Sequence, residues 1–288
     1  VGAGVYNVLN RNSKQINSRA NCDIVVSQVG ARRDNPNCDT ADTDVSRDIF
    51  DVARNPDIDI VVELIGGTDV AFELVMLALE NGKHVVTANK ALIAMHGMEI
   101  FAAAESRGLI VAYEAAVAGG IPIIKALREG LAANRINWLA GIINGTTNFI
   151  LSEMDSKGRE FADVLTEAQE KGYAEADPTF DVEGIDAAHK LVIMASLAFA
   201  MPLNLDGIFT DGITKLEPQD VGYARELGYA IKHLGITRQT ENGVELRVHP
   251  TLVPESCLIA GVNDVSNAVM VNADAVGTTL YYGPGAGS

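Results

Sequence analysis

Residues Ile58–Lys90 read IDIVVELIGGTDVAFELVMLALENGKHVVTANK. Ile58–Ile65 is an apolar run broken only by single acids, the pattern of a strand buried on both faces of a parallel sheet. Asp69–Asn81 has helical spacing, with Gly82 at the C-cap position. His84–Ala88 returns to a β-branched strand. Strand, helix and strand within so short a stretch form a βαβ unit, and its two strands must run parallel. The turn Gly66-Gly67-Thr68 then lies at the carboxyl edge of the sheet, where ligands bind in open α/β folds. A tight βα turn with no ligand reads equally well.

The same alternation continues on both sides. Upstream lie a helix at Val1–Arg11, a strand at Asp23–Gly30 and a short helix at Val45–Arg54, ended by Asn55-Pro56. Downstream lie a helix at Ala91–Arg107 and a strand at Leu109–Glu114. Residues 1–116 are therefore expected to form an α/β, Rossmann-type doubly wound parallel sheet. From residue 117 the order changes. A helix at Pro122–Leu131, a strand at Arg135–Asn144 and a helix opened by Gly145-Thr146-Thr147-Asn148 follow. After them come an amphipathic helix at Glu160–Gly172 and an apolar helix from Asp186 to Met201. A helix with strands is expected over Val221–Val248, and strands at Leu258–Val262 and Ala268–Asn272. Residues 117–272 read as an α+β domain, and 273–288 as a segment returning toward the first domain. The chain opens on a helix with no strand before it and ends in the glycine-rich turn YYGPGAGS. It reads as a fragment at both ends.

The net charge of −16 argues against nucleic acid and anionic membrane surfaces as partners, since both need basic patches. The longest apolar run, Leu191–Met201, is about half of what spans a bilayer. The N-terminus lacks a signal-peptide pattern. Cys22, Cys38 and Cys257 are scattered without CxxC spacing, which disfavours a structural zinc and fits a reduced, cytoplasmic protein.

Candidate site residues cluster in four places. Gly172–Lys190, GYAEADPTFDVEGIDAAHK, carries five carboxylates and a lysine into the apolar helix. Asp186 and Lys190 are four apart and share a helix face, with Glu175 and Asp181 upstream. Lysine beside carboxylates at the polar mouth of a buried helix suits proton transfer; a surface ion pair is the other reading. Arg32 and Arg33 follow the strand Asp23–Gly30, at the place where a dinucleotide fold selects its cofactor, and two guanidiniums suit a 2′-phosphate; solvated surface arginines read equally well. Gly2 could close a dinucleotide fingerprint, and Lys90 could reach cofactor or substrate. Glu114 to Ile121 offers one carboxylate and bare carbonyls to a hard cation. Neither a G-x-S-x-G elbow nor an H-E-x-x-H pair is present. None of the cysteines sits in a plausible nucleophile elbow.

Seven segments together resemble homoserine dehydrogenases of the bacterial type. They are VGAGV (1–5), VELIGGTD (62–69), GKHVVTANKALIA (82–94), EAAVAGGIPIIKALREGL (114–131), GIINGTTNFIL (141–151), GYAEADPTFDVEGIDAAHKL (172–191) and YYGPGAG (281–287). The resemblance implies reversible NAD(P)H-dependent reduction of L-aspartate 4-semialdehyde to L-homoserine, in threonine, methionine and isoleucine biosynthesis. It implies a catalytic domain that also dimerises, in a homodimer or homotetramer. Lys190 would be the proton donor and acceptor, and Lys90 a second active-site lysine. Glu175 and Asp186 would bind substrate, with Asp181 close by. Gly2, Arg32, Arg33, Thr68, Lys90, Gly172 and Gly285 would contact NADP, with NAD possible. Glu114, Val117, Gly119 and Ile121 would hold a sodium-type cation. The alternative expectation is a non-catalytic fragment that dimerises without turnover.

Overall fold

The computed structural model describes residues 1–285. They fall into two units, residues 1–92 with 96–113 and residues 93–95 with 114–285.

The first unit opens with helices α1 (Gly2–Arg11) and α2 (Ser13–Ala20). Strand β1 (Gln28–Gly30) pairs in parallel with β2 (Asp44–Ser46). Short helix α3 (Asp51–Arg54) follows. Strand β3 (Ile60–Glu63), helix α4 (Asp69–Glu80), strand β4 (His84–Thr87), helix α5 (Lys90–Glu105) and strand β5 (Val111–Ala112) complete the unit. β3, β4 and β5 form a parallel three-stranded sheet in that order. The βαβ reading of Ile58–Lys90 holds. Its core is aliphatic: Val61, Val75, Leu79 and Val85 are buried.

Two expectations in this unit need correction. The helix expected at Val45–Arg54 is only four residues long, and Val45 instead pairs with Val29 across the β1–β2 ladder. Ser46 Oγ bonds the Asp48 carbonyl and the Asp51 carboxylate, and Asp48 caps Phe50 N. Such local side-chain bonds compete with helix formation. The strand expected from Asp23 is regular only at Gln28–Gly30.

The second unit begins with a 3₁₀ turn at Glu114–Ala116 and helix α6 (Ile123–Lys125), which continues as a π-helical turn at Ala126–Gly130. Strand β6 (Ile136–Ile142) precedes helices α7 (Gly145–Lys157), α8 (Phe161–Glu170), α9 (Thr179–Val182) and α10 (Ile185–Phe199). Strand β7 (Phe209–Thr210), helix α11 (Pro218–Glu226) and strands β8 (Tyr229–Thr240), β9 (Gly243–Pro254), β10 (Ser266–Ala273) and β11 (Gly277–Pro284) follow. The six strands form one mixed sheet in the order β11-β10-β6-β8-β9-β7. α7 and α10 are buried along most of their length, Phe149–Met154 on one and Leu191–Ala195 on the other. Both pack on β8.

Here too the structure differs from expectation at two places. Leu258–Gly261 is a 3₁₀ turn rather than a strand. A short apolar run does not distinguish the two by periodicity. Ile259, Ala260 and Val262 join a buried cluster with Leu234 and Val253. The expected return segment contains strand β11, and Tyr281–Pro284, the start of the expected glycine-rich turn, pairs within it with Ser266–Val269. β-Branched and aromatic residues fit a pleated surface better than a turn. Residues 286–288 of the expected return segment lie outside the described residues.

Candidate active site

The second unit gathers part of the Gly172–Lys190 constellation around the N-termini of α7 and α10. Lys190 Nζ donates to Asp186 Oδ2 at 2.7 Å and to the Ile143 carbonyl at 2.7 Å. Asn144 Nδ2 donates to the same Asp186 Oδ2 at 2.9 Å and to Asp181 Oδ1 at 2.8 Å. Asn144 Oδ1 accepts from Thr147 N at 2.8 Å, the N-cap bond of α7. Asp186 is 2% exposed and Asn144 4%. A carboxylate so placed needs donors, and it receives two here. The cluster can hold a charged amine at a fixed point and pass a proton at Nζ.

The glycine before α10 makes this possible. Gly184 has φ +83°, and a Cβ there would stand about 3.1 Å from the His233 ring and from Val248 and Thr210. Its absence lets the start of α10 press onto β8 and β9. His233 Nε2 faces the Asp211 carbonyl at 3.0 Å, so Nε2 carries the proton. Burial pushes its pKa below the ordinary imidazole range.

Other expected residues stand apart from this cluster. The Glu175 carboxylate is exposed, and among the described residues no hydrogen bond joins it to Asp181, Asp186 or Lys190; its carbonyl is held by Gln169. Gly172, with φ +72°, is exposed at the end of α8. Thr146 Oγ1 donates to the Tyr173 carbonyl at 2.6 Å and ties this segment to α7. His189 packs edge-on against Phe180, with centroids 5.4 Å apart. Gly285 lies against Asn267 and Gly119. Both Glu114 carboxylate oxygens accept backbone N–H groups, from Ile124 at 2.8 Å and Lys125 at 3.0 Å. The carboxylate therefore caps α6. Ala118 and Gly119 both have left-handed φ, so the loop of Val117, Gly119 and Ile121 turns sharply beside it.

The first unit contains a cleft of about 410 Å³ at the carboxyl ends of β1 and β3. Gly30, Ala31 and Arg32 line one side; Ile65, Gly66, Gly67, Thr68 and Asp69 line the other. Gly66 and Gly67 have φ +73° and +70°, and a Cβ at either would meet nothing within 4 Å. The N-terminus of α4 opens there, a favourable end for phosphate. Buried Glu63 fixes this edge, accepting Ile65 N at 2.8 Å and Thr87 Oγ1 at 2.5 Å. Asn89 holds Gly67 O at 2.6 Å and caps α5, whose first residue is Lys90. Arg33 is exposed outside the cleft lining, and Gly2 is an exposed residue of α1. A smaller cleft around Pro56 and Gly82 sits at the opposite strand ends, where Lys83 is tied to the Asn55 and Ile58 carbonyls.

Sequence reasoning missed Asn144 as a site residue. It ended β6 there and read the cap one residue later. The signal available was that Asn followed by Gly-Thr-Thr is a strong N-cap.

A parallel βα unit with a glycine–threonine turn and an arginine on its ligand edge, joined to an α+β unit, defines a dinucleotide-binding fold with an appended second domain. Residues 1–114 match the family model for the homoserine dehydrogenase NAD-binding domain, and residues 122–288 match that for homoserine dehydrogenase. The chain belongs to the homoserine dehydrogenase family. It is 70% identical over 287 residues to homoserine dehydrogenase of Pseudomonas aeruginosa, covering 100% of this chain and 66% of that protein. Identity to the Neisseria gonorrhoeae enzyme is 58%, again over 66% of its length. The chain thus spans about two thirds of the length of the curated relatives it matches. The crystal structure of a Thiobacillus denitrificans homoserine dehydrogenase aligns with TM-score 0.97 at 60% identity, over 100% of this chain and 67% of that one. A hyperthermophilic archaeal homoserine dehydrogenase in complex with NADPH aligns with TM-score 0.72 at 26% identity, over 83% and 69%. Among the described residues no helix is long and apolar enough to cross a membrane.

Proposed function

We propose that the chain serves the reversible, NADP-dependent interconversion of L-aspartate 4-semialdehyde and L-homoserine. The observation that carries this reading is the Lys190–Asp186–Asn144–Asp181 cluster, on the unit that matches the homoserine dehydrogenase model. When bound, the nicotinamide cofactor supplies or takes up the hydride. Lys190 Nζ gives its proton to the developing alkoxide during reduction, and as neutral amine takes it back during oxidation. Asp186 and the exposed Glu175 hold the substrate ammonium, with Asp181 steadying Asn144. Lys90 serves as the second active-site lysine.

The cleft suits a dinucleotide, because open glycines, the N-terminus of α4 and Arg32 all line it. Arg32, with Arg33 beside it, favours NADP over NAD, while Thr68, Lys90, Gly2, Gly172 and Gly285 serve as further cofactor contacts. A sodium-type cation suits Glu114, Val117, Gly119 and Ile121, because each carboxylate oxygen keeps a lone pair beyond its backbone bond. Exposed Leu227 and Leu258 supply apolar surface for a homodimer or homotetramer. Free cysteines fit a cytoplasmic setting. The test is to add homoserine with NADP or NAD and follow absorbance of the reduced cofactor. Turnover with NADP supports the reading; none with either cofactor favours a non-catalytic, dimerising role.

A further inference from the structure

We infer that Asn144 is the positioning residue of the lysine–carboxylate cluster. The inference rests on the function proposed above. Two consecutive residues after β6 hold both halves of the ion pair: Ile143 takes the Lys190 ammonium through its carbonyl, and Asn144 takes Asp186 through its amide. The orientation of that amide is dictated at both ends. Thr147 N can only donate, so the atom facing it is Oδ1; Asp181 and Asp186 accept, so the atom facing them is Nδ2.

The position therefore demands one acceptor and two donors on a short stem. Serine supplies the acceptor and caps α7, but is too short to bridge the acids. Aspartate caps as well, but brings a third carboxylate against Asp181 and Asp186. Asparagine alone among the good capping residues does both tasks. The bridge also ties α9, which carries Asp181, to the first turn of α10, which carries Asp186. Asn144 acts through Asp186 and the Ile143 backbone on the place where Lys190 Nζ is held, and a small misplacement there is costly to turnover.

The experiment compares Asn144→Ser and Asn144→Asp with the parent chain. Both variants keep a cap; Asn144→Ser should unfold thermally close to the parent, whereas Asn144→Asp, which sets a third carboxylate against Asp181 and Asp186, should unfold earlier. With the cluster disordered, kcat/KM for homoserine should fall about 100-fold, while KM for NADP stays unchanged. If either variant keeps the parental kcat/KM for homoserine, Asn144 is a helix cap only and the inference is overturned. A second arm does not depend on turnover: acylation of Lys190 by an amine-reactive acetylating reagent, read by peptide mass spectrometry against exposed Lys215. Loss of the bridge in Asn144→Ser opens the cluster to reagent and should speed labelling of Lys190 by about threefold or more; a smaller change overturns the inference. A parent chain without turnover, but with this labelling response, sinks the proposed function and leaves the role of Asn144 standing.

Discussion

Lys190 Nζ stands 2.7 Å from Asp186 Oδ2, one helical turn away, and the two side chains are only 14% and 3% exposed. An ion pair on a solvated helix face is worth under about 1 kcal/mol, and its loss would pass unnoticed. A withdrawn pair behaves differently, because removing one partner strands the other charge. Asp186→Ala should destabilise the second unit by about 3–5 kcal/mol, measured by urea unfolding. Lys190→Ala, leaving an acid that Asn144 still bonds, should retain the fold and lower kcat by about 10²–10⁴. A Lys190→Ala chain as active as its parent would end the assignment of proton transfer.

What was legible in the sequence follows from how local each signal is. The βαβ unit of Ile58–Lys90 is written in period and punctuation: β-branched strands, an apolar helical stripe, and glycines at the turns. Lys190 and Asp186 share a face by spacing alone. Asn144 was hidden because its role is set by partners 37 and 42 residues away, which no local pattern encodes. Glu175 is the converse case. It was grouped with Asp186 and Lys190 because all three lie within Gly172–Lys190, yet it stands exposed after α8 and outside their hydrogen-bonded cluster. Val45 went to a strand because Val29 offered a ladder partner, a tertiary effect stronger than the helical spacing of Val45–Arg54.

The two arginines should separate under mutation. Arg32 lines the cleft and Arg33 does not. If Arg32 meets a 2′-phosphate, Arg32→Ser removes a charge-assisted bond worth about 1.5–3 kcal/mol. KM for NADP should rise by roughly 10–100-fold with KM for NAD little changed. Arg33→Ser should have the smaller effect. Equal loss with both cofactors would show that Arg32 does not read the phosphate.

The contact between the loop at Gly119 and the end of β11 is a backbone-to-backbone fit. Gly119 has φ +56°, and a Cβ there would overlap Gly285 O and lie 2.9 Å from Pro284 O. Gly120 N donates to that same Pro284 carbonyl at 3.2 Å. Gly119→Ala must bear both left-handed strain and overlap with atoms that cannot rotate away, about 2–5 kcal/mol together. Gly172 also has positive φ, but nothing lies within 4 Å of its missing Cβ. Gly172→Ala should therefore cost about 1 kcal/mol, from strain alone. Denaturant melts of the two variants that coincide would refute the steric account.

Lys232 offers a pH test outside the proposed site. It is 3% exposed, and its ammonium donates to Val262 O at 2.7 Å and Asn263 Oδ1 at 2.9 Å. Burial lowers its pKa to about 8, against the opposing pull of Asp155 and Asp264. The unfolded chain, with an ordinary lysine, holds its proton to higher pH than the folded chain does. Stability contributed at this position is therefore lowest below pH 8 and rises as pH climbs toward the ordinary lysine value. Lys232→Met lacks this titration. Relative to that variant, the parent should gain up to about 3 kcal/mol between roughly pH 8 and 10.5. Trp138, the single tryptophan, sits on β6 in the same sheet and reports unfolding by fluorescence. Parallel stability curves for parent and Lys232→Met across that range would mean that the ammonium is as well solvated in the fold as in the open chain.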